Sequence, residues 1–133
     1  MFDWLRKKDA PLTGAPAVRR QKTYSAESGY VYQYFYEGQR AARRDGAAGI
    51  QFVFNVSSDR KRAFAVSVFV SGEALDGWQQ AHDRQLGSTE RYAVAKMSLF
   101  QAFDQRATPE ALSEEVRVEA PEVESILATL DIS

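Results

Sequence analysis

The chain has 133 residues, 44% of them hydrophobic and 26% charged, which is the composition of one globular domain large enough to bury a core without staples. It contains no cysteine and a single histidine, His82, which excludes disulfides, thiolate catalysis, cysteine-ligated zinc and any multi-histidine metal site within one chain. Charge is split near the midpoint: residues 1–62 carry twelve Lys/Arg against six Asp/Glu, and residues 63–133 carry five against twelve. Separate positive and negative surfaces of this kind favour association and steering.

Residues 1–8 hold Phe2, Trp4 and Leu5 ahead of Arg6-Lys7-Lys8, a short helix that would make weak contact with an anionic membrane surface. No apolar run reaches the roughly 18–20 residues that span a bilayer, and the first residues lack the apolar stretch of a signal peptide, so the cytoplasm is the expected compartment. Pro11, Gly14 and Pro16 mark residues 9–23 as a linker, in which Arg19, Arg20 and Lys22 continue the positive charge. The domain organisation is therefore a short helix and linker over 1–23, then one domain over 24–133.

From Tyr24 to Ser71 the pattern has period two. Tyr30, Tyr32, Tyr34 and Tyr36 alternate with other residues, as do Ile50, Phe52, Phe54 and Val56, then Phe64, Val66, Val68 and Val70. Asp45-Gly46 turns the first hairpin and Ser58-Asp59 opens the second. A loop at Asp59-Arg60-Lys61 pairs Val56 with Phe64, Phe54 with Val66, Phe52 with Val68 and Ile50 with Val70, all on one face. For the first hairpin, a bulged three-residue turn lays the tyrosines over the core, and a tight Asp-Gly turn puts them on the opposite face.

Helical periodicity follows. Leu75, Trp78 and His82 share a stripe over 73–84, and Gly87 breaks the helix. Ser88 is the expected cap of a helix over 89–105 with a broad apolar face. Thr108-Pro109 starts a short helix, Val116 and Val118 suggest a fourth strand near 116–119, and Pro121 starts a last amphipathic helix. The fold class is α+β: a three-stranded antiparallel meander, with a candidate fourth strand, and C-terminal helices packed on one face.

Catalytic, metal-binding and cofactor-binding constellations are not expected. There is no nucleophile elbow, no phosphate loop and no second histidine to accompany His82. The leading functional expectation is a non-enzymatic protein-interaction domain, either an adaptor or a self-associating unit. The alternative is a nucleic-acid-binding module that uses basic loops and strand tyrosines. A weaker alternative is a ligand or catalytic pocket near Trp78, His82 and Tyr92. The candidate binding residues are Tyr30, Tyr32, Tyr34 and Tyr36 with Arg43, Arg44, Arg60, Lys61 and Arg62. In a meander the two basic loops fall at opposite ends of the sheet, so they are not expected to form one patch.

Overall fold

Alternating aromatic and β-branched residues form the centre of the sheet, as their period demands. The computed structural model describes residues 10–133; the helix and membrane contact expected at 1–8 lie outside the described residues. The elements run β1 (Lys22–Ser25), β2 (Val31–Arg44), β3 (Ala47–Ser57), β4 (Phe64–Ser71), α1 (Gly72–Ala81), α2 (Ser88–Gln105), a 3₁₀ helix (Pro109–Ser113), β5 (Val116–Val118) and α3 (Ala120–Thr129). The class is α+β. The sheet, however, has five strands in the order β1-β2-β3-β4-β5 and is mixed, so the three-stranded antiparallel description is corrected.

The expected meander is β2, β3 and β4. The second hairpin has the expected register, with Val56 opposite Phe64, Phe54 opposite Val66, Phe52 opposite Val68 and Ile50 opposite Val70. Of these eight residues, six are fully buried and Ile50 and Phe64 pack partly exposed at the ends. The fourth strand forms at Val116–Val118, parallel to β4. It is parallel because α1, α2 and the 3₁₀ helix intervene and return the chain to the end where β4 began. β1 carries only Lys-Thr-Tyr-Ser, too short and polar to show a period. It pairs with Val31–Tyr34 as an antiparallel edge strand.

The tyrosine row lies over the core, and the reason is neither of the turns taken alone. Arg44 pairs with Ala47 across a tight Asp45-Gly46 turn whose two residues have φ of 54° and 82°, the left-handed pair that such a turn requires. That register would send the tyrosines outward. A β-bulge between Tyr36 and Gly38 leaves Glu37 unpaired and shifts the pairing by one residue, so Tyr36 meets Phe54 and Tyr34 meets Val56. Burial of Tyr32 and Tyr34 beneath α2 favours this arrangement by on the order of 1.5–3 kcal/mol for each large side chain.

The helices seal that face. Ser71 caps α1 by accepting from the Ala74 N–H at 3.1 Å. The cap of α2 is Gly87, one residue before the expected Ser88, and Glu90 reaches back to accept the Gly87 N–H at 2.9 Å. Phe103 stacks on Tyr32 with ring centroids 4.2 Å apart, and Val94, Leu99, Val123, Ile126 and Leu127 complete the core.

On the opposite face Glu115 is the hub of a polar network. Arg44 grips it through two hydrogen bonds of 2.7 and 2.8 Å, Arg117 donates at 2.8 Å, and Ser67 donates from β4. Both guanidinium groups lie over the buried Phe69 ring, at 5.1 and 5.6 Å from its centroid.

A basic cleft at the sheet edge

The N-terminal arm, residues 10–21, runs along the free edge of β2 rather than away from it. Thr13 and Gln39 exchange two backbone hydrogen bonds of 2.9 and 2.8 Å. Gly38 makes the approach possible: its φ is 132°, and a Cβ there would sit 2.9 Å from both the Thr13 carbonyl oxygen and the Leu12 Cβ. Replacing Gly38 with Ala is expected to prise the arm off the sheet, at about 1–3 kcal/mol. Hydrogen exchange should then quicken at the Thr13 and Gln39 amides; unchanged protection at both would contradict this account.

β1 is clamped to α2 further along. The Tyr24 hydroxyl donates to Asp104 Oδ2 at 2.7 Å, the Glu27 N–H donates to Oδ1 at 2.9 Å, and Ser28 Oγ donates to the Phe103 carbonyl at 2.7 Å. Burial, and then the Asp104 hydrogen bond, push the Tyr24 phenol up to about 12, so it remains a donor. The Tyr24 ring stacks on Phe100 at 4.3 Å.

Between arm, sheet edge and helix lies a cleft of about 450 Å³, within the range of ligand sites. Tyr34, Phe35 and Tyr36 of β2 form its floor, Ser88, Thr89 and Tyr92 of α2 one wall, and Val18, Arg19 and Arg20 of the arm the other. Lys22 stands at its end. Val18 is 71% exposed at the rim, an apolar side chain with little of its own to cover. Tyr36 and Tyr92 lie with ring centroids 4.7 Å apart, and both rest on Phe54. Burial, reinforced by Tyr92, pushes the Tyr36 hydroxyl up to about 12.

The electrostatics are one-sided. Lys96, one helical turn beyond Tyr92, lies over the Phe100 ring at 5.7 Å. Burial lowers its ammonium below the usual lysine range, and the adjacent Lys22 lowers it further. Neither lysine has a carboxylate within ion-pair distance among the described residues; of the cleft cations Arg19 alone does, with Glu37 at 3.1 Å.

Of the candidate binding residues, Tyr32 and Tyr34 are 0% and 4% exposed, so their rings pack in the core, with Tyr34 also bordering the cleft. Tyr36 is half-buried in the cleft and Tyr30 is 37% exposed. The two basic loops do lie at opposite ends. Arg43 donates to the Gly46 carbonyl and Arg44 is bound to Glu115, both beside the first turn. Arg60, Lys61 and Arg62 line a second groove that shares Tyr34 and Phe35 with the cleft. The loop thus joins not the other loop but the arm, whose positive residues the linker assignment left without a location.

His82 does meet a carboxylate, with Nε2 3.3 Å from Glu124 Oε1, and it stacks on Trp78 at 4.2 Å. The pair sits on the outer surface between α1 and α3, whereas Tyr92 faces the cleft, so the three residues grouped by the weaker alternative do not share a pocket. Sequence reasoning did not single out Lys96, which stands beside Lys22 at the end of the cleft, or Gln33, which borders the second groove. Lys96 was legible as the residue four beyond Tyr92 on one helical face; Gln33, alternating with core tyrosines, carried no such signal. Among the described residues no helix is long and apolar enough to cross a membrane. No family model, curated protein or solved structure matches this chain.

Proposed function

We propose that the chain is a non-enzymatic interaction module that takes up an acidic segment of a partner protein in the basic cleft. One observation carries this reading: Arg20 and Lys22 border a tyrosine-lined cleft, Lys96 stands beside Lys22, and none of the three has a carboxylate partner among the described residues. Cations gathered in this way repel each other until an anion arrives, and an acidic side chain supplies one while its neighbours cover Val18 and the tyrosine edges. The aromatic rings favour a peptide over a nucleic acid. They stack on one another (Tyr24 on Phe100, Tyr32 on Phe103, Tyr36 against Tyr92) and leave no row of open faces for bases. A second copy of the chain is one source of such a segment, since Glu119, Glu122 and Glu124 are exposed at α3.

The test is fluorescence anisotropy with a labelled glutamate-rich peptide at about 50 mM salt, against Lys22→Glu and Lys96→Glu. Each reversal is expected to weaken binding by about tenfold or more, and raising the salt should weaken the wild type. Because Lys96 holds its proton less firmly than an ordinary lysine, affinity should begin to fall at a lower pH than the usual lysine range. Absence of peptide binding by the wild type would remove the proposal, and tighter capture of a single-stranded oligonucleotide would transfer the cleft to the alternative reading.

A further inference from the structure

Under the β3–β4 hairpin lies a groove of about 150 Å³ bordered by Gln33, Asn55, Ser57 and the side chains of Arg60, Lys61 and Arg62. Gln33 is 5% exposed, and its Oε1 is buried without a hydrogen-bond partner among the described residues. A buried amide oxygen left unmet costs about 1–3 kcal/mol, so it marks a place where a donor is expected to arrive. Three of the hairpin's own backbone donors are already engaged. Asp59 Oδ1 accepts from the Lys61 and Arg62 N–H groups at 2.8 and 2.9 Å, and Ser57 Oγ accepts from the Arg60 N–H at 3.0 Å. What the groove brings together is therefore three exposed cationic side chains and, at their border, a glutamine whose buried acceptor is unmet.

Phosphate would satisfy the cations without bringing Gln33 an N–H, and in an internal acidic residue the amide N–H and the carboxylate stand two or three carbons apart. A chain terminus brings both partners at once, an amide N–H and a carboxylate separated by a single carbon. We infer that this groove captures the C-terminal carboxylate of a peptide. Gln33 Oε1, turned towards the groove by a side-chain rotation, accepts the N–H of the last residue, and the Arg60–Arg62 side chains neutralise its carboxylate. The inference rests on the cleft reading for the rest of the peptide. Groove and cleft share Tyr34 and Phe35, so one chain can lie across both.

Two labelled glutamate-rich peptides of one sequence, one ending in a free carboxylate and the other in an amide, separate the two ideas. Wild-type protein is expected to bind the acid about tenfold more tightly than the amide. Gln33→Leu, or the exposed double variant Arg60→Ala/Arg62→Ala should Gln33→Leu fail to fold, is expected to bring the two affinities together. Lys22→Glu is expected to weaken both peptides alike. Equal affinity of the wild type for acid and amide would overturn the terminal site and leave the cleft reading standing. If neither peptide binds, the cleft reading fails, and N-acetylglycine against N-acetylglycinamide still reads the groove through the Gln33 side-chain amide resonances. A saturable shift with the acid alone supports the inference; no shift, or the same shift with both, overturns it and leaves Gln33 to water only.

Discussion

Phe54→Ala is expected to cost about 3–5 kcal/mol in urea unfolding, because it deletes a fully buried ring where the sheet cannot collapse to fill the gap. Phe54 is 0% exposed at the middle of the central strand, with Tyr36 and Val66 as its two cross-strand partners. Against a total stability of about 5–15 kcal/mol for a domain of this size, that is a large share. The effect reaches the cleft as well. Tyr36 and Tyr92 both lean on Phe54, at 5.4 and 6.2 Å between centroids, so the floor and one wall lose their common support. The same variant should therefore weaken peptide binding, although Phe54 does not line the cleft. Phe64→Ala, at the partly exposed end of the same face, is the control and should cost clearly less. A Phe54→Ala protein that loses under 1 kcal/mol would mean that this face is not the core.

Acid should weaken the fold through Glu115. Burial by itself would raise this carboxyl, but the hydrogen bonds from Arg44, Ser67 and Arg117 more than offset it and hold the group at about 2, against 4.5 when unperturbed. A depressed native value means that the unfolded chain takes up the proton first. The stabilisation is therefore complete above about pH 5 and is lost as pH falls from 4.5 towards 2. The side chain is 17% exposed. With some discount for solvent, the contribution is about 2 kcal/mol near neutral pH. Glu115→Gln keeps the shape and removes the charge. Urea midpoints should separate the variant from the wild type at pH 7 and converge near pH 2. A gap of the same size at both values would show that packing over Phe69, and not the charge, is what Glu115 supplies.

Local chemistry determined most of the secondary structure. The alternation of Ile50, Phe52, Phe54 and Val56 with Phe64, Val66, Val68 and Val70 left only one register that buries all eight, so β3 and β4 were legible residue by residue. The helices were legible from their stripes and caps, to within a residue at Gly87. The side of the sheet that the tyrosines occupy was not. Both turns were consistent with the local pattern, and what chose between the outcomes was a bulge at Glu37, which forms because burying Tyr32 and Tyr34 beneath α2 outweighs one unpaired residue in the ladder. β1 and the arm were likewise beyond local reading. Lys-Thr-Tyr-Ser has little strand preference of its own and is held by Asp104, which is 80 residues from Tyr24 in the chain. The candidate binding residues followed the same division. Their charges were evident in the composition, but only tertiary contacts could set Lys22 beside Lys96, bring the Arg60–Arg62 loop next to the arm and tie Arg44 to Glu115. Periodicity reports what a segment can bury, whereas a cleft depends on which distant segments come to bury it.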